Sequence, residues 1–221
     1  MTLSTHFLDA IAKAGERPGR PLTIVWPMPG NATTFLSFTT FAEWSAFVLD
    51  LRLRRRAPDI VAEKFERSLK LQLLGWIDYE LVMVAELVAM TALELALKDC
   101  YLGHEKARRL KQVNDKAQIA GRPLADKELK WVENVSFARL LHYMVKEDGL
   151  TDEQIPLNQR CGGGTIVGFL TGDFRPSFAD RRNGMAHGDP FGSSGVGSPC
   201  AGLLEAIRDL IDYAYRDRGI G

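Results

Sequence analysis

Between Ile77 and Tyr101 the chain carries apolar side chains at nearly every angle of a helix: Leu81, Val82, Val84, Leu87, Val88, Met90, Leu93, Leu95 and Leu97. A helix that is apolar all round is buried from every side. A chain that contains one must supply further elements to surround it. Two carboxylates, Glu86 and Glu94, sit inside this segment. Each must find a partner, shift its pKa, or reach the rim of the core.

The elements available to surround it are mostly helical. A short helix opens the chain, with Ser4 as its cap, Phe7, Leu8 and Ile11 on one face, and Gly15 at its end. Leu22–Trp26 and Thr34–Thr39 read as strands, and the Pro-Met-Pro-Gly-Asn between them is turn chemistry. Thr40-Phe-Ala-Glu43 fits a capping box, after which Phe41, Trp44, Phe47, Val48 and Leu51 recur at helical spacing. Pro58 interrupts, and a new helix is predicted from Asp59 past Leu73. Lys106–Gly121 is polar and basic, and Gly121-Arg-Pro123 reads as a connection. Leu129, Val132, Val135, Phe137, Leu140, Leu141 and Met144 predict a further helical stretch ending at Gly149. Cys161–Gly202 holds 11 of the 20 glycines, interrupted by a short helix around Ser177–Ala186. The last helix has Ser198 and Pro199 as its start signals and a stripe of Leu203, Leu204, Ile207, Leu210, Ile211 and Ala214. The expected fold is mainly α: a helical bundle over 57–221, with a 1–56 extension holding a short helix, a small β-hairpin and the first bundle helix.

Charge narrows the function classes. The 28 basic residues balance 28 acidic ones in 221, which rules out nucleic-acid binding by a bulk positive field but leaves local patches open. The longest uncharged stretch, Pro21–Ala42, is too rich in proline, threonine and polar residues to span a membrane. The N-terminus lacks the pattern of a signal peptide. Cys100, Cys161 and Cys200 are few, odd in number and far apart, which suits a reducing, cytoplasmic setting. No cofactor and no metal are expected. His6, His104 and His142 have no partners at ligand spacing, and Gly162-Gly-Gly-Thr-Ile-Val-Gly168 lacks the Gly-Lys-Ser/Thr ending of a phosphate loop. The basic runs Arg52–Arg56 and Lys106–Lys111 read as solvated helix faces before they read as phosphate contacts.

One constellation stands out. Asp180-Arg-Arg-Asn-Gly-Met-Ala-His-Gly-Asp189 places Arg182, Asn183 and His187 at a short helix or its end, just before glycine-rich sequence. Five residues turn a helix by about 140°, so Arg182 and His187 share a cleft only if the helix frays near Gly188. The plain structural alternative pairs Arg182 with Asp180 or Asp189 and leaves His187 as a helix cap.

Arg182-Asn183-x-x-Ala186-His187-Gly188 resembles the Arg-x4-6-His signature of HEPN domains, in the variant with a polar residue after the arginine. Glu86–Lys98 resembles the long acidic-apolar helix of that family, and Phe137–Tyr143 and the last helix fit its remaining helices. The resemblance covers roughly 59–216, and the region before Leu51 lies outside it. It implies a bundle that forms a homodimer and brings two copies of the motif into one cleft. Many HEPN proteins are metal-independent endoribonucleases of toxin–antitoxin or abortive-infection systems; others are non-catalytic dimerisation or nucleotide- and RNA-binding modules. The expected partners are therefore RNA, such as tRNA or mRNA, a second copy of the chain, and an antitoxin protein, with no membrane.

These residues suit the chemistry. A histidine with an ordinary pKa near 6.5 can take or give a proton at neutral pH. Arg182 offers a permanent fork of donors to phosphate oxygens. Asn183 can orient the phosphate or the imidazole. On the family's helix pattern, Glu94, ahead of Glu86, is the carboxylate that would hold Arg182 or His187 in place.

Overall fold

The computed structural model describes residues 5–15, 21–187 and 202–217. Among these the chain is mainly helical, with one two-stranded antiparallel sheet near the N-terminus. Helix α1 (Thr5–Ala14) precedes strands β1 (Leu22–Met28) and β2 (Asn31–Phe38), and then α2 (Phe41–Asp50), α3 (Asp59–Leu74) and α4 (Leu81–Ile119) follow. The remainder is α5 (Asp126–Glu133), α6 (Phe137–Lys146), α7 (Pro156–Cys161), α8 (Val167–Thr171), α9 (Phe178–Ala186) and α10 (Leu203–Ala214).

The apolar segment becomes the middle of the fold, as its composition requires. Ala85, Ala89, Ala92, Leu93, Ala96 and Leu97 of α4 are all fully buried. The alanines recur at i, i+4, i+7 and i+11, a stripe without bulk that lets a neighbouring helix approach closely. Helix α3 packs along α4 most extensively, with α10 and α6 against its other sides.

Two boundaries differ from the sequence reading. Ile77–Glu80 is not helical; it turns the chain between α3 and α4, and the Asp78 carboxylate accepts the Glu80 N–H at 3.0 Å. At the other end α4 runs on through the polar, basic stretch to Ile119, 39 residues in all. The stretch is rich in Lys, Arg, Gln, Glu and Ala, which are strong helix formers. It keeps a narrow buried stripe of Glu105, Arg109, Val113 and Ala117 at successive i+4 positions. The stretch from Leu129 to Met144 is two helices rather than one. Ser136 ends the interruption by capping α6, its hydroxyl accepting the Arg139 N–H at 3.3 Å.

Arg108 and Arg109 are not free cations on a solvated face. The Glu105 side chain is fully buried and accepts from Arg108 at 2.9 Å, Arg109 at 2.9 Å and Arg139 at 2.7 Å. Burial pushes this carboxyl up, but the hydrogen bonds from Arg108, Arg139 and Arg109 outweigh it and hold it at about 2, below the ordinary 4.5. A carboxyl lowered in the folded state stabilises fully above its unfolded pKa and loses that contribution as pH falls through the folded value. The melting temperature is therefore expected to drop as pH falls from about 4.5 toward about 2. Glu105→Gln is expected to lower the melt at neutral pH and flatten this acid limb. A variant with the wild-type acid limb would remove Glu105 from the account.

The N-terminal hairpin forms, but with a tighter turn than the five residues of turn chemistry: Pro27 and Met28 end β1 and Asn31 opens β2. Pro29 and Gly30 make the two-residue connection, with Gly30 at φ +73°, and Leu22 pairs with Phe38 and Trp26 with Thr34. Thr40 and Glu43 form the expected capping box. Leu22, Ile24, Trp26 and Phe38 join the same hydrophobic core as α3, α4 and α10.

Helix α10 starts at Leu203, with Gly202 at its N-cap; Ser198 and Pro199 lie outside the described residues, as does Ser4. A side chain at Gly202 would need φ +81° and would place its Cβ 2.6 Å from Pro27 Cγ, so the hairpin and the start of α10 meet through a glycine. The apolar stripe is present, but the polar side is buried as well. Glu205 is 7%, Arg208 1% and Asp209 3% exposed. The covering is polar and matched. Trp26 Nε1 donates to Glu205 at 3.2 Å, Leu157 N–H to Asp209 at 2.8 Å, and Arg208 to Asp209 at 2.6 Å and to the Asp50 carbonyl at 3.3 Å.

Candidate functional site

Helix α9 carries the motif and is started by its own sequence. Ser177 is the N-cap, its hydroxyl accepting the Asp180 N–H at 3.1 Å, while the Asp180 carboxylate accepts the Ser177 N–H at 3.0 Å. Arg175 pairs with Asp180, and with the Ser177 bonds it holds that carboxyl below its ordinary value. Asp180 is thus committed to the cap and to Arg175. The plain pairing of Arg182 with Asp180 does not occur, and Asp189 lies outside the described residues.

Arg182 reaches instead to α4. Its Nη2 lies 2.9 Å from Glu94 Oε2, and its Nη1 donates to Asn183 Oδ1 at 3.2 Å. The second Glu94 oxygen holds Lys98 at 2.7 Å. Three of the four sequence-predicted residues, Arg182, Asn183 and Glu94, are therefore in direct contact. Glu94 is the carboxylate that holds the arginine.

The neighbouring Arg181 makes a parallel contact that the motif alone does not announce. Its side chain is 4% exposed, and its Nη2 lies 2.9 Å from Glu86 Oε2. Burial pushes the Glu86 carboxyl up, while the charge and hydrogen bond of Arg181 pull it down. Adjacent residues on a helix diverge by about 100° and eight residues span about 12 Å, so two neighbouring arginines of α9 grip α4 at two separate levels. Both carboxylates of the apolar helix thereby gain a cation from the same short helix. The signal in the sequence was the pair itself: two acidic residues in an apolar helix and two consecutive arginines in a short one.

His187 stands at the C-cap of α9, and its N–H bonds back to Asn183 O at 3.0 Å and Gly184 O at 3.2 Å. Its side chain is exposed. Among the described residues no side-chain contact joins it to Arg182, Asn183 or Glu94. Helix α9 gives out at His187, and Gly188, where the shared cleft needs the helix to fray, lies outside the described residues.

Arg182 is one-third exposed, so its guanidinium is braced yet reachable. The arrangement offers a fixed cation, an amide beside it, and an imidazole at the adjoining helix end. Among the described residues no three of His, Cys, Asp and Glu stand together in a way that could hold a metal ion. No described helix is long and apolar enough to cross a membrane. Compared with family models, curated proteins and solved structures, the chain matches none.

Proposed function

We propose that this chain is a HEPN-like, metal-independent RNA endonuclease that works as a homodimer. The observation that carries the reading is Arg182 braced against Glu94 of the central helix, with Asn183 beside it and His187 exposed at the end of the same helix. A permanent cation held within a folded frame suits the charge that develops on phosphorus. An exposed imidazole suits proton transfer to and from a polymeric substrate.

In this reading the ribose 2′-oxygen attacks the adjacent phosphorus and gives its proton to His187. Arg182 steadies the phosphorane oxygens. The bond from phosphorus to the 5′-oxygen breaks, and that oxygen takes a proton from His187 of the second copy. The products are a 2′,3′-cyclic phosphate and a 5′-hydroxyl.

The second copy has a surface to meet. On α4, Val84 is 45% exposed, and Leu87, Val88, Thr91 and Leu95 are only partly buried. These positions follow helical spacing and lead to Glu94, the partner of Arg182. A copy covering this stripe would bring the two motifs near one another. Toxin–antitoxin or abortive-infection biology, an antitoxin partner and a cytoplasmic setting belong to the same proposal.

The test is cleavage of tRNA and total RNA, with the new ends identified chemically. Cyclic phosphate ends are expected. Glu94→Gln is expected to lower kcat about tenfold with little change in KM, because it loosens the cation that acts in the transition state. A variant with wild-type kcat would remove Glu94 from the site. A second reading is favoured by the lack, among the described residues, of a side-chain contact between His187 and Arg182: a non-catalytic dimerisation or nucleotide- or RNA-binding module. It predicts RNA binding without new ends.

A further inference from the structure

A cavity of about 480 Å³ lies between the segment joining α2 to α3 and the face of α3. Its size is within the range of about 300–1,000 Å³ typical of small-molecule sites. Four arginines line it: Arg52, Arg54, Arg55 and Arg56. They do not form a solvated helix face, because the segment that bears them is not helical.

A carboxylate fixes this segment from below. Asp212 of α10 accepts the N–H of Arg54 at 3.0 Å and of Arg55 at 2.9 Å. It binds their backbone, not their guanidinium groups. Every described arginine from Arg108 to Arg216 takes part in an ion pair. Among the described residues the four at this cavity make none, and only Arg52 makes a side-chain hydrogen bond, to Leu49 O at 2.8 Å. Like charges lining one cavity repel one another, and the described acidic residues in its wall are Asp50 and Glu66.

The remaining wall has two further characters. Leu53, Phe65 and Leu69 make it apolar. Glu66 pairs one oxygen with Lys70 at 3.0 Å, and its other oxygen is buried without a hydrogen-bond partner among the described residues. A ligand that answers all three features has an anionic end, a flat or apolar body, and an N–H donor.

We propose that this cavity binds a nucleoside phosphate, with its phosphates on the arginines, its base against the apolar wall, and an amino group of the base donating to Glu66. Guanidinium groups favour phosphate because their donors match its oxygens in pairs. The inference stands on its own and does not depend on RNA cleavage at Arg182.

The experiment is calorimetric titration of the full chain with ATP, beside adenosine and inorganic pyrophosphate as separate probes. ATP is expected to bind, and each of Arg54→Gln and Arg56→Gln to weaken it about tenfold, the scale of a charge-assisted hydrogen bond. Both side chains are exposed, and at Arg54 Asp212 holds only the backbone N–H, which glutamine keeps, so both variants should keep the wild-type melting temperature. Glu66→Ala is expected to weaken ATP while leaving pyrophosphate unchanged. No binding of ATP, ATP binding unchanged in both arginine variants, or pyrophosphate binding as tightly as ATP would each overturn the proposal. So would binding of RNA at these arginines with none of ATP.

Discussion

His187→Ala is expected to lower RNA cleavage by about 100-fold or more, the usual scale for losing an acid–base group. The melting temperature should stay near the wild-type value. The imidazole is exposed, and the structural work at this position, closing α9, is done by the backbone N–H that bonds to Asn183 and Gly184. Alanine keeps that N–H. Arg182→Ala should cause a loss of similar size for a different reason, since it removes the phosphate cation and leaves proton transfer intact. The two variants are therefore separable by pH. In wild type, activity should rise and then fall with pH, because one histidine must act as base while the other acts as acid. The residual activity of Arg182→Ala should keep that bell shape, and that of His187→Ala should lose it. A His187→Ala protein that is folded and fully active would exclude the histidine from the chemistry.

Arg208→Leu should destabilise the fold by about 3–5 kcal/mol, the cost of breaking a buried ion pair from one side. For a chain of this size that is a fall in melting temperature of roughly 6–20 °C. Arg208 is 1% exposed and contacts Asp209 at 2.6 Å and Glu205 at 3.1 Å, both themselves buried. Leucine fills much of the volume but takes the shared cation from two buried carboxylates, with Arg160 as the remaining cation at Glu205. Their protonation then becomes a way to relieve the strain. The deficit relative to wild type should accordingly shrink as pH falls, which thermal melts from neutral to acid pH would measure. A deficit that is small, or constant with pH, would mean that the cluster is not held by charge.

Much of this fold was legible because local rules and tertiary demands agreed. The capping box at Thr40, the break at Pro58 and the Pro29-Gly30 turn are decided within a few residues. The apolar run in α4 forces a central position whatever surrounds it. What escaped depended on distant partners. The basic half of α4 shows little apolar periodicity, because its buried stripe includes Glu105 and Arg109, and those find partners only when Arg139 and the C-terminal end of α5 are brought to them. The polar side of α10 looks solvent-facing until Trp26, Leu157 and the Asp50 carbonyl are brought to it. At the candidate site, Arg182, Asn183 and Glu94 were named from the motif and the helix pattern together. Arg181 was not, because its role depends on Glu86, 95 residues earlier in the chain. The arginines at 52–56 were read as a helix face because a run of charge says nothing about the backbone that carries it.

The most direct measurement is cleavage of tRNA and total RNA in EDTA by the wild-type chain beside Arg182→Ala and His187→Ala, each checked for folding. The account predicts that the wild type cleaves and that both variants are folded and nearly inactive. Cleavage that stops with the chelator, or that proceeds equally in all three proteins, would contradict it.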